Sequence, residues 1–221
     1  MQKSEPPLEN PEVPAARSRG RPRAFNRDMA LAQATRLFWT KGYEATSIAD
    51  LTQAMGIGSP SLYAAFGSKE ALYAEALRYY GGQYEHLVWG GFLVAPTARA
   101  AVHALLMDSA KVLPGCTADM PRGCMVTLSA VGCEGHAELG ELVQGARAVT
   151  LHRLLARIER AVSEGEISAS IDTHGLARFV QTIQSGMSIL ARDGASRAEL
   201  EDVAATAMLG WDARTRTMAD R

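Results

Sequence analysis

The stretch of residues 46–69, TSIADLTQAMGIGSPSLYAAFGSK, constrains the possible folds of this chain more than any other. Ser47 and Asp50 have the spacing of a capping box, in which each side chain satisfies a backbone N–H of the other residue. A short helix is therefore predicted to start at Ile48, and Gly56 is predicted to end it. The chain is then expected to turn through residues 56–58.

A second short helix is expected after that turn. Ser59 is predicted as its N-cap and Pro60 as its first helical residue, where the missing N–H of proline would be unsatisfied anyway. Leu62 and Phe66 are four residues apart and can anchor the helix to a core. The remaining face carries small and hydroxyl-bearing side chains, namely Ser61, Tyr63, Ala64 and Ala65. Two short helices joined by a glycine-containing turn are typical of a helix-turn-helix, and such a face can press closely against a DNA major groove.

The residues TSIADLTQAMGIGSPSLYAAFGSKEAL resemble the DNA-binding signature of the TetR/AcrR family of transcriptional regulators. The matching elements are the initial threonine and serine, the A-M-G-I turn at 54–57, the S-L-Y-x-x-F helix and the S-K-E-x-L that follows it. The strong resemblance ends near residue 80, and residues 186–211 are more weakly similar to the copper-responsive ComR branch of that family. The resemblance implies a homodimeric repressor that binds a double-stranded DNA operator and is released by a small-molecule effector.

On this resemblance, the DNA-binding surface is expected to combine phosphate contacts with base contacts. Tyr63, Lys69 and Thr46 are expected to hold phosphates, whereas Ser59 and Ser61 are expected at base edges. The other members of the predicted surface are Ser47, Pro60 and Ala64. Lys69 opens a predicted fourth helix, so its ammonium group opposes the helix dipole and favours an external anion such as a DNA phosphate.

Positive charge is concentrated near the N-terminus, although the 221-residue chain has a net charge of only −1. Residues 17–41 hold seven basic residues and one acid, a local charge of +6, so the remainder carries −7. An acidic body with a basic end is typical of a protein that presents one surface to phosphates. The run RSRGRPR at 17–23 is expected to be an arm whose Arg21 and Arg23 reach the minor groove, or else a solvated basic linker.

The predicted fold class is all-α: an N-terminal three-helix bundle containing the helix-turn-helix, joined by a linking helix to a larger helical domain for ligand binding and dimerisation. The expected domains are a disordered tail and basic arm at 1–24, the DNA-binding domain at 25–70, and the ligand-binding and dimerisation domain at 71–221. The linking helix is expected to kink at Gly81-Gly82 and to end at Gly90-Gly91, because glycine is unfavourable inside helices.

Five further helical segments are predicted after Pro96. They are expected at residues 97–113, at 121–131 as a helix buried on all sides, at 136–163, and as a final pair at 172–192 and from 196 onward. Two antiparallel helices such as the final pair can complete a monomer core or form a four-helix interface with their symmetry mates, and the resemblance favours the second. The predicted interface residues are Leu176, Phe179, Ile183, Met187, Leu200, Val203, Ala207 and Trp211.

An apolar effector pocket is expected among the helices between residues 97 and 162. The candidate lining residues are His103, Met107, Cys124, Met125, Leu128 and His152. Each of these side chains can equally be an ordinary part of the core, because a histidine or methionine on an apolar face is common in helical domains.

No catalytic site, cofactor or metal site is expected. The chain has no G-x-x-x-x-G-K-[ST], H-E-x-x-H, G-x-S-x-G or C-x-x-C motif. It has no apolar run long enough to cross a membrane and no signal peptide, and its odd number of cysteines favours a reducing cytoplasm.

Two alternative functions stay open at this point. The first is a cysteine-based metal or redox-responsive regulator. Cys124 and Cys133 would face opposite sides of a continuous helix, but a break at the nearby glycines would bring Cys133, His136 and Cys116 together. The second is a small-molecule-binding protein without DNA recognition, suggested by Ala64 and Ala65, which stand where many family members have bulky basic or aromatic residues.

Overall fold

The computed structural model describes residues 26–115, 120–130 and 135–216. Over those residues the chain forms nine α-helices and no strand, as the all-α prediction requires. The helices are α1 (Arg27–Lys41), α2 (Ile48–Met55), α3 (Ser59–Phe66), α4 (Lys69–Val94), α5 (Ala98–Val112), α6 (Met125–Leu128), α7 (Ala137–Ser163), α8 (Thr173–Arg192) and α9 (Arg197–Thr215). None of them combines the length and hydropathy needed to cross a membrane.

Helices α1–α3 form a small head in which the predicted helix-turn-helix is present. The capping box at the start of α2 is confirmed, since the Ser47 hydroxyl accepts from the Asp50 N–H and the Asp50 carboxylate accepts from the Ser47 N–H. Gly56 ends α2 in the left-handed conformation, at φ 68°. The start of α3 differs from the prediction by one residue, because Gly58 is the N-cap and Ser59 is already helical. Pro60 is tolerated at the next position because the first-turn N–H groups have no helical partner.

Helix α4 links the head to the body formed by α5–α9, and it differs from the prediction in length. The expected end at Gly90-Gly91 is wrong, since α4 is helical without interruption from Lys69 to Val94. The helix continues through Gly81-Gly82, where the expected kink stays a prediction. Gly91 has a packing role: a Cβ atom there would lie 2.7 Å from Asp108 Oδ2 and 3.0 Å from Ala104 Cβ. The missing side chain therefore lets α4 lie directly against α5, and this packing offsets the low helix propensity of glycine.

The segment predicted as a fully buried helix at 121–131 is mostly not helical. Only Met125–Leu128 forms one turn, and the residues before it run as an irregular strap, 120–124, against α8. The positive φ of 78° at Gly123 is incompatible with a regular helix there. By contrast, the predicted helices at 136–163 and 172–192 are confirmed to within one residue.

The described part of the chain has two hydrophobic clusters, and their border does not follow the expected domain boundary at residue 70. The first cluster joins α1–α3 to the first half of α4, and it also contains five residues from the body: Val112, Met120, Met125, Leu139 and Val143. The second cluster joins Trp89 and Phe92 of α4 to α5, α7, α8 and α9. The head therefore shares its core with the start of α7, the end of α5 and the strap.

Candidate nucleic-acid interface and ligand cavity

The outward face of α3 consists of the residues predicted to meet DNA. Ser59, Pro60, Ser61, Tyr63 and Ala64 are all exposed, and the Tyr63 side chain is 47% accessible. The two predicted anchors on the opposite face, Leu62 and Phe66, are 0% and 6% accessible. The helix therefore presents a flat surface of small side chains with one projecting tyrosine.

Arg27 fixes the back of α3 to its neighbours, a role that sequence reasoning missed. Its guanidinium makes a bidentate ion pair with Glu75 of α4, with Nη1–Oε1 and Nη2–Oε2 distances of 2.6 and 2.7 Å. It also donates to the Ala65 carbonyl and lies 4.5 Å from the centroid of the Phe66 ring. In the sequence analysis Arg27 was only one of the basic residues at 17–41. In the structure it holds together α1, α3 and α4.

Lys69 lies at the start of α4, with its Nζ atom 4.2 Å from the centroid of the Tyr43 ring. The Tyr43 hydroxyl donates to Glu70 Oε1 at 2.9 Å, and the His136 ring of the body packs edge-on against Tyr43. Burial, followed by this bond to Glu70, raises the pKa of Tyr43 above its usual range. The pKa of Glu70 is lowered by a hydrogen bond from its own backbone N–H and by the Tyr43 hydroxyl. The lysine is therefore held over an aromatic ring next to the predicted interface.

Two other residues of the predicted DNA-binding surface, Thr46 and Ser47, lie at the turn before α2. Thr46 is completely buried, and its hydroxyl donates to the Gly42 carbonyl at 2.6 Å, so its side chain closes the turn between α1 and α2 and does not face solvent. The expectation that its hydroxyl holds a phosphate is corrected accordingly. Ser47 is exposed, with its hydroxyl engaged in the capping box. Arg21 and Arg23 lie outside the described residues.

A cavity of about 500 Å³ lies between the head, α4, the strap, α7 and α8. Its aromatic wall is formed by Trp39 of α1 and by Tyr80, Tyr84 and Trp89 of α4. The Trp39 ring packs edge-on against Tyr80 and Tyr84, with ring centroids 4.8 and 5.2 Å apart. The volume and the aromatic lining are typical of sites for small organic molecules.

Polar groups also line the cavity. Arg153 is paired with Glu85 and stacks on the Trp89 ring, while Arg147 donates to the backbone carbonyls of Val126, Thr127 and Ser129. Gln181, Gln184, Ser185 and Ser188 of α8 supply neutral donors and acceptors. The cavity is thus amphipathic, with its cations already compensated by a carboxylate or by carbonyls.

One of the six residues predicted for the effector pocket lines this cavity, and it is Cys124. His103 and His152 are exposed, Met107 packs against the second hydrophobic cluster, and Met125 belongs to the first. Leu128 contacts the strap: a Cβ at Gly123 would meet it. The aromatic residues of α4 and α1 were missed because their periodicity reads as ordinary core, and only tertiary packing shows that they surround a space.

Cys124 is next to Tyr80, and burial together with this thiol raises the pKa of Tyr80 well above its usual value. Cys116 and Cys133, the other two cysteines of the sensor hypothesis, lie outside the described residues. Among the residues that are described, no group of three or more histidine, cysteine, aspartate or glutamate side chains is arranged to hold a metal ion.

The predicted dimer residues divide between the core and the surface. Leu176, Met187, Leu200 and Trp211 are at most 5% accessible within one chain and complete its own core. Exposed Phe179 and half-buried Ile183 and Val203 line a shallow depression on the outer face of α8 and α9, together with Gly210. Ala207 also lines it, although this side chain is 5% accessible and belongs to the core. We call this depression the α8–α9 face.

Comparison with known proteins agrees with this geometry. Residues 30–76 match the family described as bacterial regulatory proteins, tetR family. The chain is 34% identical over 202 residues to the HTH-type transcriptional repressor ComR of Escherichia coli (strain K12), covering 88% of this chain and 93% of ComR. It is 31% identical over 199 residues to the repressor BdcR of the same organism, covering 88% and 91%.

A solved structure gives the same result. A cysteine mutant of the TetR family transcriptional regulator CifR, complexed with 26-base-pair double-stranded operator DNA, superposes with a TM-score of 0.80 at 38% identity. The match covers 87% of this chain and 100% of that one. The similarity therefore extends from the helix-turn-helix through the whole body. The chain belongs to the tetR family of bacterial regulatory proteins and is a DNA-binding transcriptional repressor.

Proposed function

We propose that this repressor binds a double-stranded operator as a homodimer through the outward face of α3 and leaves it when an amphipathic aromatic molecule enters the cavity. The observation that carries the DNA-binding part is the face of small exposed side chains on α3, anchored from behind by Leu62 and Phe66. A helix with no bulky side chains except Tyr63 can approach base edges closely.

Within this proposal each exposed residue has a stated role. Tyr63 and Lys69 hold phosphates and fix the register of the head on the duplex, while Ser59 and Ser61 lie at base edges. Pro60 and Ala64 make the close approach possible, and Ser47 lies beside the phosphate backbone at the start of α2. The arm at 17–23 adds attraction along the minor groove through Arg21 and Arg23.

Binding should be measured against a duplex that the protein itself selects from random-sequence DNA. The affinity is expected to fall steeply as the salt concentration rises, because each neutralised phosphate releases counterions. Tyr63→Ala should weaken binding to selected and unrelated duplexes alike, because a phosphate contact carries no sequence information. Tyr63→Phe is the matched control that keeps the ring and removes the hydroxyl. An affinity that stays constant between low and high salt would contradict the proposal.

The α8–α9 face is proposed as the dimer surface. It carries exposed Phe179 and half-buried Ile183 and Val203 on two antiparallel helices whose inner faces already complete the monomer core. Pairing two such faces about a two-fold axis buries apolar area and gives a four-helix interface. A two-fold dimer places the two α3 helices at a fixed spacing, which a two-half-site operator requires.

The chemistry of the cavity limits its ligand. Four aromatic rings favour a planar or aromatic molecule, and the α8 amides and hydroxyls favour one that also carries neutral hydrogen-bonding groups. A strongly charged ligand is disfavoured because Arg153 and Arg147 are already compensated. A thermal-shift screen of small aromatic compounds, followed by competition with DNA binding, tests this assignment. Compounds that raise the melting temperature without releasing DNA would contradict it.

We also propose that the protein acts in the cytoplasm, where the DNA it regulates lies, and that it catalyses no reaction. The polar groups around the cavity fit binding, because Arg153 and Arg147 are engaged and the α8 side chains are neutral amides and hydroxyls. Incubating each screened compound with the protein and recovering it unchanged by mass spectrometry is the expected result.

A thiol-based response is a second candidate, because Cys124 lines the cavity beside Tyr80. In that case an oxidant or a thiol-reactive compound would release DNA from the wild-type protein. Cys124→Ser should then abolish the response, and a response that survives in this variant excludes the thiol as its origin.

A further inference from the structure

Arg192, at the last position of α8, is bound to the last turn of α1. Its Nη2 and Nη1 atoms donate to the carbonyls of Trp39 and Thr40 at 2.7 and 3.0 Å, and its Nε atom donates to the Arg122 carbonyl at 2.9 Å. The last carbonyls of a helix have no partner within it. The end of α1 in the head is therefore capped by a side chain from the body, 152 residues away along the sequence in the case of Thr40.

A second connection runs beside the first. The buried indole N–H of Trp39 donates to the Gly123 carbonyl at 3.0 Å, and the next N–H of the strap, at Cys124, donates to Ser188 Oγ of α8 at 2.8 Å. The strap is thus held between α1 and α8. We call the four residues Trp39, Gly123, Ser188 and Arg192 the clasp.

The clasp allows almost no free space. A Cβ atom at Gly123 would lie 2.4 Å from Leu128 Cδ1 and 2.8 Å from the Ser188 carbonyl oxygen, and the φ of this residue is 78°. The Arg192 guanidinium is half-buried, and three carbonyl oxygens compensate for its desolvation. The guanidinium is planar and its N–H groups point in fixed directions. Its bonds to three backbone carbonyls therefore fix the orientation of α8 relative to α1 as well as the distance between them.

The position of the clasp connects three parts of the molecule. Arg192 ends the helix that carries Phe179 and Ile183 of the α8–α9 face, and Trp39 belongs to the head. The inner side of the strap, through Met120, Gly123 and Cys124, lines the cavity, as does Trp39 itself. A ligand in the cavity therefore touches the same residues that join the head to the dimer helix.

We propose that Arg192 and Trp39 are positioning residues for operator recognition: the clasp fixes the angle of each head relative to the molecular two-fold, and cavity occupancy acts on the heads by loosening it. This inference rests on the proposed function, because it concerns how two heads bind two half-sites together. The head would then be joined to the body in two places, covalently through α4 and non-covalently through the clasp at the end of α1.

The test compares two duplexes that the wild-type protein has selected, one with both half-sites and one with a single half-site. Arg192→Lys keeps the charge but loses the fork, and its affinity for the two-half-site duplex is expected to fall about 10- to 100-fold, because the second head no longer binds at a high effective concentration. Its affinity for the single half-site should stay within about twofold of wild type, because the α3 surface is unchanged.

Two further variants keep the inference falsifiable. Trp39→Phe retains an aromatic ring and loses the indole N–H, and it should reproduce the selective loss. Arg197→Lys changes an exposed arginine of α9 that pairs with Glu201, and it should bind both duplexes like wild type. The inference is overturned if Arg192→Lys and Trp39→Phe bind the two-half-site duplex normally, or if they lose both duplexes equally, since an equal loss indicates a merely structural role. A wild-type protein that selects no duplex contradicts the proposed function itself.

Discussion

Arg27→Ala is expected to destabilise the head by about 2 kcal/mol, a large cost for a residue at the surface. Three contacts are lost together. The half-exposed ion pair with Glu75 contributes about 0.5–1 kcal/mol. The stacking on Phe66 contributes about 0.5–1 kcal/mol, and the long bonds to the Ala65 carbonyl contribute about 0.5 kcal/mol.

Urea unfolding followed by far-ultraviolet circular dichroism measures the effect, provided that the urea dependence of the free energy is the same in both proteins. A double-mutant cycle with Glu75→Gln isolates the ion pair, and its coupling energy is expected to be about 0.5–1 kcal/mol. Lys41→Ala is the matched control, because Lys41 forms an exposed ion pair with Asp50 and has no aromatic contact. Its loss of stability should be smaller.

The two outcomes that refute this reasoning are clear. If Arg27→Ala unfolds within about 0.3 kcal/mol of wild type, the three contacts are absent or exchanged for others in solution. If Arg27→Ala and Lys41→Ala are equally destabilising, the arginine acts only as a surface charge. A supporting result is faster amide hydrogen exchange in α3 of Arg27→Ala, because the anchor behind this helix has been removed.

Four other outcomes are expected. Removing residues 1–25 should lower DNA affinity for all sequences, and the slope of log affinity against log salt should fall by about one unit for each arginine that contacts a phosphate. The pKa of Asp50 is lowered to about 2 by the Ser47 backbone N–H and the Lys41 ammonium, so its folded value lies below its unfolded one. Its stabilising effect should be present above about pH 4 and lost as the pH falls towards 2, and melting curves of Asp50→Asn should lack this part of the pH dependence. Ile183→Glu should yield monomers in sedimentation experiments, whereas Val94→Glu at the exposed end of α4 should not. Ala146→Trp, which fills the cavity, should abolish the thermal shifts caused by aromatic compounds and should weaken operator binding, because the added ring occupies the space of the proposed ligand.

Local signals in the sequence were enough to predict most of the head. The spacing of Ser47 and Asp50 determines where α2 begins, because capping depends only on neighbouring residues. The exposed face of α3 followed from the four-residue spacing of Leu62 and Phe66, since these anchors leave one side of a short helix for other contacts. The length of α4 could not be predicted in this way, because the packing of Gly91 against Ala104 and Asp108 of α5 depends on residues outside the helix.

The cavity was beyond sequence reasoning for a related reason. Tyr80 and Tyr84 are four residues apart, a spacing that suits a packed core as well as the wall of a cavity. The hydrogen bond from the Trp39 indole to Gly123 joins residues 84 positions apart. Such distant pairs leave no periodic signal in a single sequence. The helix expected at 121–131 was wrong because an apolar composition fits a buried helix and a buried irregular segment equally well, and the positive φ of Gly123 excludes the helix.

The shared core sets a rule for engineering. Exchanging DNA specificity between relatives by transplanting residues 25–70 alone would cut through a hydrophobic cluster that continues into Val112, Met125 and Leu139. Such a chimera would expose apolar side chains where the head meets the body. The transplanted helices would also fail to pack against body residues that fit the original head. A graft that is to keep its sensing function has to carry the strap and the first turns of α7 along with the head.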